Sequence, residues 1–71
     1  MANSPSGESV IHRVVRILSA FGEDSPALGL RELARLVDLP VSTVYRLVSE
    51  IELEGLLVRD TAGRLRHGHR L

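Results

Sequence analysis

The chain has 71 residues, with nine basic and nine acidic residues, no lysine and no cysteine, so its formal net charge is zero. That length makes one small domain, which buries only about 60% of its unfolded surface, and with disulfides and thiolate metal sites excluded a partner subunit or close helix packing must supply the rest of its stability. With 44% hydrophobic and 25% charged residues, no apolar run near the ~18 residues of a membrane span and no signal-like N-terminus, a soluble cytoplasmic protein without membrane association is expected.

Charge is unevenly placed. Residues 1–58 carry five arginines against eight acids, whereas residues 59–71 carry four arginines against Asp60 alone. All nine cations are arginine, whose planar fork suits phosphate and guanine, although a GC-rich genome produces the same bias.

Residues 1–8, rich in Ser, Pro, Gly and Asn, read as a disordered leader. From Ser9 the spacing of Val10, Val14, Ile17, Leu18 and Phe21 predicts a helix. Ile11 and Val15 widen its apolar arc to roughly 160°, more than one core-facing stripe needs, and leave His12, Arg13, Arg16 and Ser19 on the polar side. The surplus points Ile11 and Val15 to a dimer contact, with packing beneath the wing as the plainer alternative. Turn residues from Phe21 to Pro26 end this helix.

Ala27 to Gly29 has room only for a brief extended piece. A short helix is predicted from Leu30 to about Val37, with Leu33, Ala34 and Val37 inward and Arg31 and Arg35 outward. Gly29 is its N-cap and Glu32, three residues on, stands at the capping-box position. Asp38, Leu39 and Pro40 break it, with Pro40 placed at the first position of the next helix. That third helix runs from about Pro40 to Glu54, with Val44, Leu47, Val48 and Ile51 as its buried row and Gly55 stopping it. Leu56–Arg59 then reads as a strand, residues 60–63 as a hairpin turn and Arg64–His67 as the return strand.

Two short helices joined by a tight break, the second polar on its outer face, form a helix-turn-helix, and the hairpin after it is a wing. The expected fold is therefore mainly α, three helices with a two-stranded β wing. The major groove admits a helix and shows a distinct donor–acceptor pattern for each base pair. Short hydroxyls near the helix start, Ser42 and Thr43 beside Val41, suit a phosphate at the free amides. Tyr45, Arg46 and Ser49, further along, have the reach for base edges. Arg31 is a candidate phosphate contact on the preceding helix, and Arg64 and Arg66 lie on the wing, with Arg59, for the backbone or minor groove. Several have a plainer role open to them: capping for Ser42 and Thr43, ring packing for Tyr45, an ion pair with Glu50 for Arg46, and a solvated face for Arg31 and Arg35.

The stretch LRELARLVDLPVSTVYRLV, from Leu30 to Val48, resembles the N-terminal domain of the IclR family of bacterial transcriptional regulators. That family shows L-x-E-L-A, then G-L-P-x-S-T-V, then H-R-L-L, and a wing resembling R-D-x-x-G-x-Y-x-L-G. The resemblance runs without gaps over about residues 9–71. Asp38 stands where the family has a turn glycine, Tyr45 where it has His, Glu54 at a usually apolar position, and His67 where the wing has Leu. The resemblance implies sequence-specific binding of duplex operator DNA, repressing or activating transcription, by a homodimer or tetramer. It further implies a C-terminal effector-binding domain for a small molecule, absent from these residues, with 68–71 beginning the linker to it. The alternative from another class is a winged-helix protein-interaction or dimerisation module. No cofactor, metal site or catalytic residue is assigned. His67 and His69 alone make a poor ligand set, and Glu50, Glu52 and Glu54 read as a solvated face rather than an acid–base site.

Overall fold

The structure, a computed structural model, describes residues 9–68. Helix α1 spans Val10–Ser19, α2 Leu30–Val37 and α3 Val41–Leu53, followed by strands β1 Leu57–Arg59 and β2 Leu65–His67. This is the expected three-helix domain with a two-stranded wing. The leader assigned to residues 1–8 and the linker assigned to 68–71 lie outside the described residues, apart from Gly68. No helix among the described residues is long and apolar enough to cross a membrane.

Each helix boundary has a local cause. Ser9 caps α1, its Oγ accepting from the His12 amide at 3.1 Å. At the start of α2 the Glu32 carboxylate accepts from the Gly29 amide, at a long 3.4 Å. Helices α2 and α3 end alike. The Leu39 amide bonds the Ala34 carbonyl and the Asp38 amide that of Arg35, while Leu56 and Gly55 do the same to Ile51 and Glu52. This pattern needs a left-handed residue; Asp38 supplies it at φ 59° and Gly55 at φ 80°. Asp38 therefore keeps the glycine-type turn conformation without being glycine. Pro40 is the N-cap of α3 rather than its first helical residue. Its ψ of 146° is extended, and its carbonyl accepts the first helical bond from Val44.

The core unites all the elements. Ile17, Leu28, Leu33, Val44, Val48, Leu57 and Leu65 are completely buried, and each such side chain contributes about 1.5–3 kcal/mol relative to exposure. The brief extended piece is where the wing joins the helices. Leu28 and Leu65 exchange amide–carbonyl bonds of 2.9 and 2.8 Å, adding a bridge along β2. On its other side β2 pairs antiparallel with β1, Leu57 opposite His67 and Arg59 opposite Leu65. Each strand is one residue shorter than expected, because Leu56 belongs to the α3 terminus and Arg64 closes the turn on Asp60.

Two expectations for α1 change. Val10, on the apolar stripe of the helical spacing, is 61% exposed; it lines an open groove with Val14, Leu47, Ile51 and Leu56. Arg13 and Arg16, assigned to a polar face, are half-buried; Arg16 donates to the Val37 carbonyl at the end of α2.

Candidate nucleic-acid interface

Helix α3 turns a sharply divided surface outward. Its row of Val44, Leu47, Val48 and Ile51 is buried. At 100° per residue Val41, Tyr45, Ser49, Ser42 and Arg46 fall in sequence around an opposite arc of roughly 140°. Val41, Ser42, Tyr45 and Arg46 are exposed, and Ser49 is half-buried. Tyr45 is 56% exposed, so its ring is not packed on a neighbouring helix. Arg46 forms no ion pair with Glu50 or any other acid among the described residues. Ser49 is committed in part, its Oγ donating to the Tyr45 carbonyl at 2.9 Å. Its free lone pairs leave it an acceptor for an amino group on a base edge. Thr43 falls off this arc, half-buried on the Glu50 side.

The start of α3 faces a cationic neighbour. Pro40 provides no side-chain cap, so the amides of Val41, Ser42 and Thr43 have no intrahelical acceptor. Arg31 and Arg35, one turn apart on α2, line an open groove with Asp38, Pro40 and Val41. Both guanidiniums lack an ion pair among the described residues. A helix N-terminus beside unpaired guanidiniums favours an anion.

The wing arginines are differently placed. Arg59 pairs with Glu52 at 3.3 Å. Arg64 donates to the Ala27 carbonyl at 3.1 Å and lies 3.6 Å from Glu32. Arg66 lies 3.8 Å from Asp60. Asp60 also organises the turn, its Oδ1 accepting from the Ala62 and Arg64 amides at 2.9 and 3.0 Å. The Arg64 amide above all holds its carboxyl below the usual aspartate range; burial opposes this, and the Ala62 amide and the Arg66 and Arg64 guanidiniums reinforce it. So Arg64 and Arg66, two residues apart on the wing, are drawn toward different acids.

His67 reaches back to α1. Its Nε2 donates to the Leu18 carbonyl at 2.8 Å, and its ring lies 5.1 Å from that of Phe21. His69 lies outside the described residues, and no group of three potential metal ligands occurs among those described. Sequence reasoning missed the tie of His67 to Leu18 and of Arg64 to Glu32. Only the opposite charges of Arg64 and Glu32 were visible, without any sign of which acid would be near. The α1 edge of Ile11 and Val15 is 76% and 53% exposed.

The profile of the IclR helix-turn-helix domain matches residues 10–61. No curated protein matches the chain in sequence. Among solved structures, an IclR homolog from a Microbacterium species is 40% identical with a TM-score of 0.84, covering 89% of this chain and 26% of its own. An IclR homolog from Microbacterium hydrocarbonoxydans, complexed with 4-hydroxybenzoate, is also 40% identical, with a TM-score of 0.83 over 87% of this chain and 26% of its own. The Agrobacterium tumefaciens repressor BlcR is 33% identical, with a TM-score of 0.75 over 86% of this chain and 24% of its own. The chain thus spans about a quarter of the length of these similar structures. With more than half of its residues under that profile, the chain belongs to the IclR helix-turn-helix family.

Proposed function

We propose that this chain is the DNA-binding head of an IclR-type transcriptional regulator, binding duplex operator DNA with α3 in the major groove and the wing on the backbone or minor groove. The observation that carries the reading is the outward arc of α3, where Ser42, Tyr45 and Arg46 stand exposed over a buried apolar row. Arg46, which forms no ion pair among the described residues, is the base reader; a bidentate contact to guanine discriminates by about 1–3 kcal/mol. Tyr45 and Ser49 flank it, and Val41 offers a methyl surface. Ser42 and Thr43, with the open amides of the first turn, hold a phosphate between α3 and Arg31. Arg64 and Arg66 hold the backbone from the wing.

A second copy of the chain joins through Ile11 and Val15, which sets two recognition helices about 34 Å apart on one face of the DNA. In the longer protein this assembly is a homodimer or tetramer, and a small-molecule effector binds in a domain outside these residues.

Binding-site selection from a random duplex library, read beside salt titrations at about 50 and 200 mM, tests the reading. The parent should bind more weakly at the higher salt because phosphate contacts release counterions. Arg46→Ala should flatten preference at one or two positions of each half-site. An unchanged motif with uniformly lower affinity removes Arg46 from the base-reading set. Absence of any duplex binding at low salt leaves the chain a protein-interaction module.

A further inference from the structure

The outward face of α2 contains an anomaly. Arg31 and Arg35 lie there beside the start of α3, yet Glu32 lies between them in sequence and is exposed as they are. A free carboxylate on a surface that meets phosphates is repelled by them. Glu32 is not free: it lies 3.6 Å from the Arg64 guanidinium, which comes from a residue 32 positions later, and both side chains are half exposed. The same Arg64 also donates to the Ala27 carbonyl at 3.1 Å. With five N–H donors in its fork, it can keep that carbonyl while it exchanges one anion for another.

We infer that Glu32 is an internal competitor of the DNA backbone for Arg64, occupying the guanidinium until a phosphate displaces it, and so sets affinity for all sequences alike without affecting base preference. The inference rests on the reading that the wing holds the DNA backbone. Asp60 stands in the same relation to Arg66, but it also accepts two backbone amides of the turn, so replacing it would alter the wing itself. Glu32 is the separable case. A glutamine there still accepts from the Gly29 amide, and Glu and Gln are interchangeable at this capping position.

The test measures binding of a duplex by fluorescence anisotropy at about 50 mM salt, for Glu32→Gln, Arg64→Ala and the double variant. Glu23→Gln serves as the control for removing an exposed charge elsewhere. Exposed ion pairs are weak, so Glu32→Gln should tighten binding about two- to fivefold on every duplex. With Arg64→Ala the gain should shrink to that of Glu23→Gln. An equal gain in both backgrounds, no gain, or a changed sequence preference overturns the inference. If Arg64→Ala does not weaken binding, the reading of the wing fails first, which a normal Arg64→Ala loss with an inert Glu32→Gln would not imply. The parent chain gives a readout that needs no substitution. On adding duplex, the Arg64 side-chain N–H and the Glu32 carboxyl carbon resonances should move together, and an Arg64 shift with Glu32 unmoved refutes the exchange.

Discussion

Asp38 offers a clean measurement of what a left-handed residue costs in this turn. Its φ of 59° and ψ of 49° put it squarely in that region, which costs an ordinary L-residue about 1–2 kcal/mol, with aspartate among the side chains that tolerate it best. It also places a carboxylate at the negative end of α2, an unfavourable position by about 0.3–1 kcal/mol. Asp38→Gly removes both effects and adds the unfolded-state freedom of glycine, worth about 0.5–1 kcal/mol against it. The net expectation is a gain of about 1 kcal/mol, or a melting temperature about 4–8 °C higher for a domain of this size. Asp38→Ala sheds the charge but meets the full left-handed cost, so it should melt below the parent. Asp38→Asn keeps the conformation and loses only the charge, and should fall between parent and glycine. Thermal melts followed by circular dichroism at 222 nm provide the assay. An alanine variant as stable as the glycine variant would show that the left-handed backbone carries no cost here.

Ile11→Asp with Val15→Asp should leave the melting temperature of the monomer nearly unchanged while abolishing self-association in sedimentation equilibrium, since both side chains are exposed on one edge of α1; simple unfolding would return them to the core. Gly68→Ala should destabilise by about 1–3 kcal/mol in denaturant titration, because its Cβ would lie 2.2 Å from the Gly55 carbonyl oxygen and displace the bond from its amide to Leu56. A neutral result would mean that the crossing of Gly68 over the α3 terminus yields easily. The Asp60 carboxyl is held low by the Arg64 amide first, so its contribution to stability is complete above about pH 4, the ordinary aspartate value. It is lost only as pH falls through the lower folded value. An NMR titration of the Ala62 and Arg64 amides should therefore show a midpoint below that of a free aspartate, and a midpoint at or above it would contradict the turn geometry.

What the sequence determined by itself was local. The bounds of α2, its inward set of Leu33, Ala34 and Val37, and the buried row of α3 follow from helical periodicity, in which every backbone bond closes within four residues. The stops at Asp38 and Gly55 were legible for the same reason, as was the outward position of Ser42, Tyr45 and Arg46. Even so, a pattern could not place the first turn of α1. Val10 has the spacing of a core residue, yet no element extends far enough to cover it. Tertiary structure alone decided the partners distant in the chain. Leu28 bridges to Leu65, Arg64 turns to Glu32 while Arg66 turns to Asp60, and His67 reaches Leu18 across 49 positions. The pairings of Leu28 with Leu65, Arg64 with Glu32 and His67 with Leu18 depend on where the helices bring the wing to rest, whereas Arg66 meets Asp60 within the hairpin itself. Charge and polarity in the sequence show which groups can pair, but the packing of Leu28, Leu57 and Leu65 against the helices sets which of them meet.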